Sequence, residues 1–64
     1  MNEDAKNQIL LVLEMLRRVN VENGVSMGFN KSNNSLMFFD TGKYVNTGKF
    51  EGFSVSLESL VVEE

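Results

Sequence analysis

The stretch Val19-Asn20-Val21-Glu22-Asn23-Gly24-Val25-Ser26-Met27-Gly28-Phe29-Asn30 decides the fold, because the spacing of its apolar residues changes midway. Up to Val19 the apolar positions recur at helical intervals. Beyond Asn23-Gly24, a stop-and-turn pair, Val25, Met27 and Phe29 alternate with Ser26, Gly28 and Asn30, the two-residue period of a half-buried strand.

Upstream of the switch the spacing predicts a helix over about residues 3–20. Asn2 is placed to cap it, Glu3 and Asp4 fall in the first turn, and Arg17 and Arg18 lie near the end, a charge order that suits the helix dipole. On a wheel of 100° per residue, Lys6, Asn7, Glu14, Arg17 and Arg18 share one polar arc of roughly 120°, opposite Ile9, Val12, Leu13, Leu16 and Val19. Leu11 and Met15 widen the apolar side to about 200°, twice the stripe that one sheet contact requires.

Downstream, Lys31-Ser32-Asn33-Asn34 reads as a turn and residues 35–40 as a second strand. That strand is apolar on both faces, Leu36 and Phe38 on one and Met37 and Phe39 on the other, as in a central strand covered from both sides. A third strand is expected at about 43–46 and a fourth at about 52–58, where Phe53, Val55 and Leu57 alternate with Ser54, Ser56 and Glu58. Residues 59–64 fit a strand, a helical turn or a tail equally well. Asp40-Thr41-Gly42-Lys43-Tyr44 is echoed six residues later by Asn46-Thr47-Gly48-Lys49-Phe50; one copy is expected to be a hairpin turn and the other a bulge or corner loop. The whole is expected to be a single small α+β domain over 1–64, with one N-terminal amphipathic helix packed on a three- to four-stranded antiparallel β-meander.

Composition narrows the chemistry. The 64 residues include no Cys, His, Pro or Trp, which removes thiolate and imidazole metal sites, disulfides and the usual nucleophile–base pairs. No metal, no cofactor and no catalytic residues are expected. Residues 25–50 carry Lys31, Lys43 and Lys49 against Asp40, and residues 51–64 carry Glu51, Glu58, Glu63 and Glu64 with no basic residue. The Gly42–Gly48 spacing and Phe50 after Lys49 do not make a phosphate loop. With no visible targeting segment and an apolar run 9–13 too short to span a bilayer, a cytoplasmic protein without membrane association is expected.

Size adds a constraint. Apolar burial by so short a chain contributes about 95 kcal/mol, and ordering its residues costs about the same at ~1.5 kcal/mol each. Without a disulfide or a metal, a second subunit is the remaining standard support. The surplus apolar positions Leu11, Met15, Met37 and Phe39 (or Leu36 and Phe38 in place of the last two) are therefore expected to form an interface with the chain itself, as a homodimer or higher oligomer, or with another protein.

The leading functional expectation is a non-catalytic, self-associating protein that binds another, so far unidentified, protein. Its class is the small stand-alone accessory inhibitors and regulators of phages and mobile elements, acting by steric occlusion. Glu51, Glu58, Glu63 and Glu64 would steer a basic partner toward it. One alternative, which the acidic net charge of −3 disfavours, is a nucleic-acid-binding module using sheet aromatics such as Tyr44 with Lys31, Lys43 and Lys49. A second alternative is a structural assembly subunit whose apolar faces serve only its own copies.

Overall fold

The computed structural model describes residues 1–61. It is an α+β arrangement in which an N-terminal helix is followed by a three-stranded antiparallel sheet interrupted by a second, short helix.

Helix α1 spans Glu3–Asn23. The Asn2 side chain accepts the Ala5 amide at 2.7 Å, satisfying one of the first-turn donors, with Glu3 and Asp4 at the positive end of the dipole. The helix runs a turn beyond the expected stop at about residue 20. Gly24 terminates it at φ 66°, its N–H donating to the Asn20 carbonyl, while the Asn23 amide side chain donates to the Val19 carbonyl at 2.8 Å. Arg17 and Arg18 consequently lie short of the last turn, which holds no basic residue. Arg17 pairs with Glu14 instead, at 3.1 Å across one helical turn.

Strands β1 (Val25–Asn30) and β2 (Ser35–Asp40) form a hairpin in the expected places. In the connecting turn, the Asn30 carboxamide oxygen accepts the Ser32 amide at 2.9 Å and Asn34 takes a left-handed φ of 52°. β3 (Gly52–Ser56) pairs with β2, giving the order β1-β2-β3. It is shorter than the expected 52–58, because the Ser56 hydroxyl caps a 3-10 turn over Leu57–Leu60 by accepting the Glu58 amide. The expected continuation beyond residue 61 lies outside the described residues.

Residues 43–46 are helical where a strand was expected. Helix α2 covers Thr41–Thr47. The paired motifs explain it: the Asp40 carboxylate caps the first turn by accepting the Lys43 amide at 2.8 Å, and Gly48, at φ 73°, closes the last by donating to the Tyr44 carbonyl at 2.8 Å. A six-residue offset suits two helical turns with a start and a stop signal, so the echo marks the ends of one helix and neither copy is a hairpin turn.

The strand register assigns every sheet side chain to a face. Met27, Phe38 and Phe53 lie side by side across the three strands, and Phe29, Leu36 and Val55 form the next row on the same face. The opposite face carries Ser26, Phe39 and Gly52 in one row and Gly28, Met37 and Ser54 in the next. At Gly52 the strands approach so closely that a Cβ would collide with the Phe38 carbonyl oxygen and lie 2.7 Å from the Phe39 Cα. This face receives cover from its own chain: Tyr44 of α2 meets Phe39 edge-on at 5.3 Å and Phe50 lies 5.6 Å from it. Thr41 is tied to Ser26 through their hydroxyls at 2.5 Å.

What the described chain lacks is an interior. None of its apolar side chains is buried; the single buried residue is Ser35, 4% exposed, whose hydroxyl donates to the Asn33 side chain at 2.6 Å. On α1, Ala5, Leu16 and Asn20 are the least exposed residues and mark the side that meets the rest of the chain, yet Ile9, Val12, Leu13 and Val19 on that arc remain about half exposed or more. The accessible surface is 5477 Å², against about 4,100 Å² for a compact monomer of this mass. The radius of gyration is 14.2 Å, where about 11 Å is typical for this chain length.

Candidate interaction surface

The apolar rows centred on Phe38 hold the exposed large apolar side chains of the sheet, Met27, Phe29 and Phe53, beside Leu36, Phe38 and Val55, which are half-buried. Phe38 and Phe53 stack, ring centroids 5.3 Å apart and planes inclined by 22°, fixing the middle of the face. Around them Met27, Phe29 and Phe53 stay 42%, 51% and 61% exposed. Side chains of this kind leave water only if something else lies on them. At the end of the face near Asp40, Val25, Phe38 and Phe53 border an open depression of about 170 Å³. That is smaller than the few hundred Å³ of a small-molecule site and fits a protruding side chain better.

Sequence reasoning favoured Met37 and Phe39 as the outward pair of β2. Phe39 packs against Tyr44 and Phe50, and Leu36, Met37, Phe38 and Phe39 are all half-buried. Leu36 and Phe38, the other outward pair that the sequence allows, share their face with Met27, Phe29, Phe53 and Val55. Met27, Phe29 and Phe53 were read only as ordinary half-buried strand positions. The signal that could have found them was register: with tight connections, the apolar positions of β1 and β3 align with Leu36 and Phe38.

Leu11 and Met15 are 62% and 56% exposed on the flank of α1, one turn apart, and form a second, smaller apolar patch. A third apolar feature is an open groove of about 630 Å³ between the N-terminal half of α1 and Leu60, lined by Ala5, Gln8, Ile9, Val12 and Leu13.

The charged candidates are dispersed. Lys31 sits in the β1–β2 turn, while Lys43 and Lys49 lie in and after α2, at the other end of strands about 20 Å long. Lys43 is already engaged, its ammonium donating to the Glu51 carboxylate at 2.6 Å; the hydrogen bond and charge of Glu51 raise the Lys43 pKa above the ordinary 10.5. Tyr44 is spent against Phe39. The three lysines therefore form no continuous phosphate track. Of the acidic candidates, Glu51 and Glu58 flank β3 at opposite ends, and Glu51 is offset by Lys43. Glu63 and Glu64 lie outside the described residues. Among the described residues no three carboxylates gather to hold a metal ion, and no helix is long and apolar enough to cross a membrane.

Comparison of the chain with protein-family models, curated proteins and solved structures found no match.

Proposed function

We propose that this chain is a self-associating, non-catalytic protein that acts by binding another protein. The observation that carries the reading is the absence of any buried apolar side chain among the described residues, in a chain that nonetheless forms two helices, three strands and a 3-10 turn. A polypeptide gains its main stabilisation by removing apolar surface from water. A chain with ordered elements whose described apolar side chains are at most half-buried completes that step against other molecules. The surplus over a compact monomer, on the order of 1,000 Å² per chain, is of the size that specific subunit interfaces use.

Self-association accounts for part of the apolar surface and a partner protein for the rest. The mode of action is steric: an assembled particle presents the α1 flank at Leu11 and Met15 and covers a functional surface of its partner, in the manner of a small accessory inhibitor. Affinity capture with the tagged chain tests this. One defined protein should be retained by the wild type and lost from Leu11→Glu/Met15→Glu. Equal retention by that variant, or capture of nothing at micromolar concentration, contradicts the reading.

The assembly-subunit alternative draws on a separate observation. β1 and β3 are both edge strands, and neither carries the charge or proline that blocks edge-to-edge pairing. Electron microscopy separates the two, since open-ended particles that grow with concentration belong to an assembly subunit and particles of fixed size do not.

A further inference from the structure

We infer that Asn23-Gly24 is a spontaneous deamidation site that the folded chain holds closed, and that opening the last turn of α1 releases it to a one-way reaction. The inference is independent of self-association and of any partner.

Of the eight asparagines, Asn23 alone precedes a glycine. The reaction begins when the backbone nitrogen of the next residue attacks the side-chain carboxamide carbon. A glycine nitrogen is the least hindered, because no Cβ stands beside it. The new bond from the Gly24 nitrogen to Asn23 Cγ closes a succinimide ring. The Cγ–Nδ2 bond breaks, and ammonia leaves with the proton of the Gly24 amide. Water then opens the ring at either carbonyl, leaving aspartate at 23 or the isomer whose backbone runs through the side-chain carbon.

The structure ties down both reacting groups. The Gly24 nitrogen, the attacking atom, donates its hydrogen to the Asn20 carbonyl. Asn23 Nδ2, the leaving group, donates to the Val19 carbonyl at 2.8 Å. The carboxamide is thus directed back along the helix, away from the nitrogen that follows it. The Gly24 carbonyl accepts the Thr41 amide at 2.9 Å, which anchors this residue to the start of α2. Both residues are exposed, and a Cβ at Gly24 would meet nothing within 4 Å, so water reaches the pair freely. The protection is conformational and lasts only as long as the helix end does. Helix ends are where local opening costs least.

The product does not restore the cap. A carboxylate has no hydrogen for the Val19 carbonyl. Its charge joins Glu22 at the end of the dipole that favours cations, in a last turn without a basic residue. The isomer adds a backbone atom between residue 23 and Gly24, which shifts the Gly24 carbonyl from the Thr41 amide. Deamidation therefore loosens the junction of α1, β1 and α2.

The test is peptide mass spectrometry of the full chain aged at mildly alkaline pH in buffer and in guanidinium chloride, with circular dichroism following the helix. Trypsin frees residues 19–31, and fragment ions separate Asn23 from Asn20 and Asn30. In denaturant Asn23 should react faster than any other asparagine; a faster site elsewhere overturns the assignment. In buffer it should react at least ~10-fold more slowly, because only the open fraction reacts. Equal rates in buffer and denaturant overturn the protection.

Val21→Gly weakens the last turn at an exposed position without altering the pair. It should raise the rate in buffer about twofold and leave the rate in denaturant unchanged. An unchanged rate in buffer contradicts the gate. Asn23→Asp, which carries the product charge, should melt about 3 °C below the wild type. An equal melting temperature contradicts the loosening.

Discussion

The two faces of the sheet share a central strand yet end differently. Phe39, on one face, is met by Tyr44 and Phe50 from the following forty-to-fifty segment; Phe38, its neighbour on the other, meets only Phe53 within the same sheet. The difference comes from the connection between β2 and β3. Capped by Asp40 and closed by Gly48, the short α2 folds back over one face and brings its aromatics with it. On the other face, Met27 and Phe53, the neighbours of Phe38 in its row, stay 42% and 61% exposed. A strand apolar on both sides thus takes different neighbours on each, Tyr44 and Phe50 against Phe39 and only Phe53 of the sheet itself stacked on Phe38.

Substitutions can break this comparison, and the largest effect is expected at Gly52. Any Cβ there enters the backbone of β2, so Gly52→Ala should separate β3 from β2 and destroy both faces at once, at a cost of about 3 kcal/mol or more. Urea titration followed by circular dichroism should find the variant largely unfolded; a native-like midpoint contradicts the close approach.

A sharper contrast comes from Phe39→Ala against Phe53→Ala. Removing Phe39 strips a contact made within the chain and should cost about 2 kcal/mol at every protein concentration. Removing Phe53 strips its stack on Phe38 and should cost about 1 kcal/mol when the protein is dilute, and progressively more as concentration rises under the proposed self-association. Thermal unfolding over a hundredfold concentration range distinguishes them, and parallel curves for the two variants break the comparison.

A smaller effect is expected at the cap that creates the closed face. Asp40→Ala should cost about 1 kcal/mol and loosen Tyr44 from Phe39. With one tyrosine and no tryptophan, the fluorescence of Tyr44 reports that contact directly. Unchanged fluorescence polarisation would show that the cap does not hold the segment.

The smallest effect belongs to Lys43. Its folded pKa lies above the ordinary value, so its pairing with Glu51 contributes fully below about pH 10.5 and fades as the pH rises beyond it. The pair is exposed to solvent, so Lys43→Met should lose little at neutral pH. As the pH rises through the raised folded pKa, its stability curve should merge with that of the wild type.

Much of the architecture was legible in the sequence because it rests on local patterns. The helix start at Asn2, the change of period at Gly24 and the alternation in β1 and β3 are each written within a few neighbouring residues. Residues 43–46 were misread because Lys-Tyr-Val-Asn suits a strand by composition, and the capping roles of Asp40 and Gly48 decide otherwise. The helix end shifted for a similar reason, since the left-handed Gly24 outweighs the position of the arginines. The candidate apolar surface was only half legible. Leu11 and Met15 follow from the width of the apolar arc, whereas the Met27–Phe38–Phe53 row exists only once three strands are in register.

The most direct test of the central claim, that this fold completes its apolar burial with a second copy, is sedimentation equilibrium of the untagged chain from nanomolar to high micromolar concentration. The account predicts a species of twice 7.2 kDa whose secondary structure weakens as it dissociates. A single 7.2 kDa species, folded with unchanged cooperativity across the whole range, would contradict it.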